Sequence, residues 1–281
     1  MSEFRPRVLG RYSRLFLLIL SEINLLIGAT FFVDPSQSIG LWAWPVKELA
    51  VRFLGAIFLA IAFGCWSVLR ANGWQRGKIL PVVGAIFYAI TGIIMASQVT
   101  GSNLAIALPW ISFFSAGTIG LLLTIGLHGW RRSPQDNISS ERTSTVPKLF
   151  FLTQTVVVGV FGVLMLFFPG LSQAQFWPWH VAIPTLQTFA ALFLATCVAT
   201  AWASRQTDTG RILALLPLDA SFPALALLAV GVHWNVIVSP TEGSPSNLVT
   251  AVWVFLYSFV SAGSFILYLL LRRAPKSARS P

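Results

Sequence analysis

The sequence predicts an all-α integral membrane protein with eight transmembrane helices, arranged as two four-helix repeats that share one orientation. Three observations carry this. Apolar runs of about 20 residues, the length a helix needs to cross roughly 30 Å of hydrocarbon, recur along the chain. Of 281 residues, 56% are hydrophobic and 10% charged, with a mean hydropathy of +0.75, far from the composition of soluble domains. Finally, LWAWPVKELAVRFLGAIFLAIAFGCWSVLR, ending at Arg70, returns as FWPWHVAIPTLQTFAALFLATCVATAWASR, ending at Arg205. Aligned without a gap, Trp42, Trp44, Val46, Ala56, Phe58, Leu59, Ala60 and Arg70 fall on Trp177, Trp179, Val181, Ala191, Phe193, Leu194, Ala195 and Arg205. A membrane barrel is excluded because these runs are apolar on every side and do not alternate.

The first span, residues 15–33, follows Arg5, Arg7, Arg11 and Arg14 and so begins like a signal peptide. No small-residue cleavage site follows, and a matching span at 149–168 carries Gly162 and Pro169 where the first has Gly28 and Pro35, so it is read as a membrane helix. Spans two to four are predicted at 46–69, 79–98 and 104–127. A polar stretch over 128–148, rich in Ser, Thr and charge, reads as a flexible linker. Spans five to eight follow at 149–168, 181–203, 212–235 and 248–271, ahead of a short basic tail. Further landmarks recur in the same order: Gly77, Ile79 and Leu80 as Gly210, Ile212 and Leu213, and Ser112 and Phe113 as Ser258 and Phe259. The expected division is a first repeat over 1–130, a linker over 131–147 and a second repeat over 148–281.

Charge sets the orientation. Seventeen of the nineteen Lys and Arg residues fall on the side of the two termini and the linker, leaving only Lys47 and Arg52 toward the other side. Both termini are therefore expected in the cytoplasm, in a bacterial inner membrane. An even number of spans per repeat makes the pseudo-twofold axis parallel to the membrane normal. The same placement argues against nucleic acid as the partner of a +10 chain, since the basic residues flank apolar runs and build no single basic face. Cys65 and Cys197 lie inside spans and read as free thiols.

Candidate functional residues are those that a membrane span must account for. Glu22 lies eight residues beyond Arg14, about 12 Å deep at 1.5 Å per residue, with Asn24 nearby. Asp219 lies eight residues beyond Arg211. Two carboxyls at one level can share a proton where their helices meet. Asp219, after Pro217, equally suits the first turn of the seventh helix, or a break between Pro217 and Pro223 that lines a cavity. Arg52 with Glu48 one turn away reads as a structural clamp or as a socket for an anionic group. Ala56, Ala60 and Gly64, like Ala191, Ala195 and Ala199, stand four apart and form packing ridges.

Trp42, Trp44, Trp177 and Trp179 suit an interfacial aromatic belt or a lid over a lipid or quinone. His180 and His233, at the outer ends of spans six and seven, raise haem, chlorophyll or metal ligation, but neither has a second ligand one turn away, so no metal site is assigned. There is no phosphate loop, nucleophile elbow, HExxH or CxxC, and no catalytic residue is assigned.

The pattern Arg52-x-x-Gly55-Ala56-x-x-Leu59-Ala60-x-x-x-Gly64, in the second helix of a four-helix unit, resembles that of small DoxX-like bacterial membrane proteins. The second copy departs from it at Gln187, Ala190 and Ala199. The resemblance implies a duplicated, fused four-helix bundle associated with quinone-linked redox complexes. The functional expectation is an accessory or scaffold subunit without catalysis of its own, binding lipid, quinone or the helices of partner subunits. The alternatives are a small proton-coupled carrier using the intramembrane carboxylates and, third, a pigment- or haem-binding subunit.

Overall fold

The computed structural model describes residues 9–71, 74–129, 145–235 and 247–273. Most of the proposed linker, the 236–246 loop and the basic tail lie outside the described residues. Among those described, eight helices are long and apolar enough to cross a membrane, and there are no strands. They are α1 (Arg11–Val33), α2 (Glu48–Arg70), α3 (Ile79–Ser97), α4 (Leu104–His128), α5 (Thr145–Phe167), α6 (Ile183–Ala203), α7 (Thr209–Val232) and α8 (Asn247–Arg273). The chain is a multi-pass membrane protein.

Element boundaries follow local chemistry. Asp208 accepts from the Gly210 N–H at 2.8 Å and caps α7 three residues before the expected start. Asp219 is thus eleven residues into α7 and lies well past its first turn. The helix runs on through both Pro217 and Pro223, so the break expected between them is absent. Each proline forfeits one backbone bond, which packed neighbours make tolerable. A short helix, Pro35–Ser38, follows α1, and another, Pro169–Gln175, follows α5.

The helices form four hairpin-like pairs, with α1 on α2, α3 on α4, α5 on α6 and α7 on α8. The pairs are joined crosswise: α2 packs along α7, and α3 along α6, whereas α2 and α3 touch only sparsely, as do α6 and α7. The halves are therefore interleaved and do not stand as two separate bundles. The inner four helices carry the core, the apolar stretch of α2 being 78% buried against 17% for that of α8.

Close approach is built from small residues. A Cβ on Gly55 would lie 2.7 Å from the backbone nitrogen of Phe32, and one on Gly28 would lie 2.8 Å from that of Leu59. These glycines bring the α1 and α2 backbones together. The Ala56, Ala60, Gly64 ridge serves a different neighbour: a Cβ on Gly64 would meet Leu218 of α7 at 2.8 Å. Within about two and a half turns α2 thus packs on both sides, which accounts for its burial.

Polar ties close the gaps. The Gly10 N–H donates to His128 Nε2 at 2.9 Å, and His128 Nδ1 lies 2.9 Å from the Thr124 carbonyl oxygen, joining the start of α1 to the end of α4. Gln98 Nε2 donates to Gln187 Oε1 at 2.6 Å between α3 and α6. Cys65 and Cys197 are free thiols.

Since the atoms facing Gly55 are backbone, Gly55→Ala is expected to cost about 1–3 kcal/mol and to lower the unfolding temperature in detergent by several degrees. Gly40→Ala, whose Cβ has nothing within 4 Å, is the control and is expected to unfold with the parent protein.

Candidate functional site

Asp219 is the one carboxylate held inside the bundle among the described residues. Its Oδ1 accepts from Gln154 Nε2 of α5 at 2.5 Å, and its Oδ2 accepts from the Ser264 hydroxyl of α8 at 2.6 Å. All three side chains are buried. Gln154 and Ser264 are not among the candidates that the sequence offers. A signal existed for Gln154: with Thr153 and Thr155 it interrupts an apolar run, six residues from Lys148 and so at a depth similar to that of Asp219.

The cluster sits on a cavity of about 290 Å³ enclosed by α5, α6, α7 and α8, with Ala60 of α2 at its back. The walls are almost wholly apolar, including Phe161, Leu192, Phe193 and Pro223. Exposed Thr153, Phe255 and Phe259 stand at its rim, where α5 and α8 touch only sparsely. The cavity thus opens sideways, toward what would be the hydrocarbon.

Four polar atoms of residues lining this cavity are buried without a hydrogen-bond partner: Trp177 Nε1, Trp253 Nε1, the Tyr257 hydroxyl and Gln154 Oε1. An unmatched buried polar group costs about 1–3 kcal/mol. Each of these atoms is shielded even from water and lies behind the apolar surface of the cavity, so a ligand with its own polar atoms reaches it only once the side chain turns inward. Trp253 and Tyr257 stack at 3.8 Å between ring centroids, one turn apart on α8. Phe53 reaches across from α2 and meets Trp177, Trp179, Phe189, Phe222, Trp253 and Tyr257, with centroid separations of 4.7–6.2 Å.

Between α1, α2, α3 and α4 the corresponding space is filled by rings. Trp110 and Phe114 stack at 5.9 Å, Phe58 lies 5.7 Å from Trp110, and Tyr88 lies 5.4 Å from Phe114. The polar atoms of these rings are matched, although Thr91 Oγ1, one turn from Tyr88 on α3, is buried without a partner. Tyr88 donates to Asn24 Oδ1 at 2.9 Å, and Asn24 Nδ2 donates to the Leu20 carbonyl at 2.6 Å. Trp42 Nε1 donates to Thr185 Oγ1 at 3.1 Å, and Trp110 Nε1 to the Leu41 carbonyl at 2.7 Å. In the ungapped alignment Ala50 stands opposite Thr185, which leaves Trp177 no equivalent acceptor.

The remaining candidates disperse. Glu22 is on the exposed side of α1 and takes no part in the Asp219 cluster, whose partners come from α5 and α8. Glu48 does not clamp Arg52; its Oε2 lies 3.4 Å from His233 Nε2. Arg52 is half-buried, and its Nε has no partner. His180 is exposed, and His233 is engaged by Glu48. Trp42, Trp44, Trp177 and Trp179 are all buried, 2–8% exposed, so they form core aromatic clusters and not a belt facing the headgroups. Among the described residues no group of three or more His, Cys, Asp or Glu side chains converges as metal ligands would.

No family model, curated protein or solved structure matches the chain.

Asp219→Ala removes the acceptor for two buried donors and is expected to lower stability by about 1–3 kcal/mol for each donor left unmatched. Asp219→Asn keeps one acceptor oxygen and is expected to fall between this variant and the parent. Thermal unfolding of the three proteins in one detergent gives the order.

Proposed function

We propose that the chain is an accessory membrane protein without catalysis of its own, which holds a neutral, hydrogen-bonding amphiphile of the quinone class in the cavity between α5 and α8. The observation that carries this is an apolar, laterally open cavity whose lining residues Trp177, Trp253 and Tyr257 hold unmatched N–H and O–H donors just behind its surface, which a ligand engages when the rings turn inward. Ring carbonyl oxygens accept from such donors, and Gln154 Oε1 can receive a hydroxyl of the reduced ring. An isoprenoid tail suits the apolar wall and the opening to hydrocarbon. The volume is close to the lower end of small-molecule sites, about 300 Å³.

In the same reading the two halves are repeats of one orientation in a bacterial inner membrane, with both termini cytoplasmic. The matched helix pairings support this: α2 takes α1 and α7 as α6 takes α5 and α3. One repeat has been filled by aromatic rings and the other kept open, which is how a duplicated scaffold acquires a single site. The DoxX-like resemblance belongs to this reading, as does an assembly with partner membrane subunits.

A proton-coupled carrier is favoured by one observation, Asp219 on the cavity wall. Glu22 adds nothing to it.

The test is extraction of the protein purified in mild detergent. The parent protein is expected to yield isoprenoid quinone at near one per chain. Thr196→Phe, which fills the cavity from α6, should reduce that yield about tenfold. A parent protein free of quinone that shows Asp219-dependent, pH-dependent uptake in liposomes would overturn the proposal in favour of the carrier. Separately, fluorescent-protein fusions at either terminus are expected to be fluorescent in cells; a dark fusion at either end would refute the cytoplasmic orientation.

A further inference from the structure

A second recess lies at the other end of the molecule, where α2 and α8 finish and α7 begins. It is an open groove of about 420 Å³ into which Arg70, Arg76 and Arg272 project. Arg70 rests over the Trp66 ring, with its guanidinium carbon 5.5 Å from the ring centroid. None of the three arginines has a carboxylate within ion-pair distance among the described residues. The nearby acid, Asp208, is already engaged: its Oδ2 lies 3.5 Å from Arg211 Nε, and its Oδ1 caps Gly210. Gly210 is what lets Arg76 close on the groove, because a Cβ there would lie 2.9 Å from Arg76 Nε.

The other wall is apolar. Phe63, Trp66, Leu213, Pro217 and Tyr268 continue from the arginines down between α2, α7 and α8. Three guanidiniums at the end of the spans and a ring-lined apolar channel below them have one matching chemistry: a phosphodiester with attached acyl chains. Guanidinium pairs bidentately with phosphate oxygens, and three guanidiniums more than offset the single negative charge of a phosphodiester. We propose that this groove binds the phosphate headgroup of an anionic phospholipid, with the acyl chains running along Trp66, Pro217 and Tyr268. A soluble phosphate compound shares the charge but leaves the apolar channel unused.

Cationic residues next to a bilayer attract anionic lipid in bulk, so the test must separate a site from a general attraction. The full chain in neutral detergent would be titrated with phosphatidylglycerol, phosphatidylcholine or inorganic phosphate, with bound lipid counted by native mass spectrometry and stability followed by thermal unfolding. Retained phosphatidylglycerol and a raised unfolding temperature are expected, with neither from phosphatidylcholine or phosphate. The triple variant Arg70→Gln, Arg76→Gln, Arg272→Gln should lower phosphatidylglycerol affinity at least about tenfold. A control triple, Arg11→Gln, Arg14→Gln, Arg205→Gln, removes the same charge elsewhere and should bind as the parent does. Gly210→Ala, which displaces Arg76 without altering charge, should weaken binding to an intermediate extent. Equal loss in both triple variants would overturn the site in favour of bulk attraction, and equal stabilisation by inorganic phosphate would overturn the lipid assignment. Undiminished binding in the groove triple would overturn the proposal outright.

Discussion

A polar group carried into hydrocarbon has no water to fall back on and must be answered by another part of the same chain. This constraint organises the molecule more than any apolar contact does, since lipid tails are as apolar as leucine and give helices little reason to prefer one another. The Asn24–Tyr88 pair ties α1 to α3, Gln98–Gln187 ties α3 to α6, and Asp219 gathers α5 and α8 around α7. Apart from the Asp219–Ser264 bond between the consecutive helices α7 and α8, each joins helices that are not neighbours in sequence. Between such ties, glycines at 28, 55 and 64 let helices approach closely enough for dispersion to act.

Set against that constraint, the two ends of the aromatic core differ in a telling way. Around Trp42 and Trp110 every indole N–H named above has an acceptor, and the space is closed by stacked rings. Around Trp177 and Trp253 the N–H groups have none, and the space is open. One residue illustrates how small the cause is, since a threonine at 185 serves Trp42 where Ala50 offers Trp177 nothing. Phe53 contributes to the same asymmetry, because its ring occupies the second half although its backbone belongs to the first.

The eight spans were legible in the sequence because crossing a bilayer demands length and apolarity, and both are local properties. Most boundaries agree to within a few residues, and α7 starts early for a reason that is also local, the Asp208 cap. Partnerships were not legible. Glu48 has Arg52 one turn away, yet it meets His233, which is 185 positions distant, and no spacing rule reaches that far. The tryptophans could not be assigned either: a ring at a span end serves equally as interfacial anchor or core, and only the cross-packing of α2 on α7 and α3 on α6 decides for core. Asp219 stands out in the sequence because it is charged in a span. Gln154 and Ser264 do not, because an uncharged polar side chain in a span is common, and only its aim distinguishes it. The open groove at Arg70 and Arg272 escaped for a related reason, since basic residues at span ends read as topology signals and hide any other use.

The interleaving of the halves bears on how the molecule is made. Helices enter the bilayer in chain order, and α2 and α3 arrive long before α7 and α6, the neighbours that cover them. Until those are synthesised, the faces of α2 and α3 meet only lipid, and the first four helices stand as two loosely associated hairpins. Assembly is therefore completed late, by the second half closing onto a waiting first half.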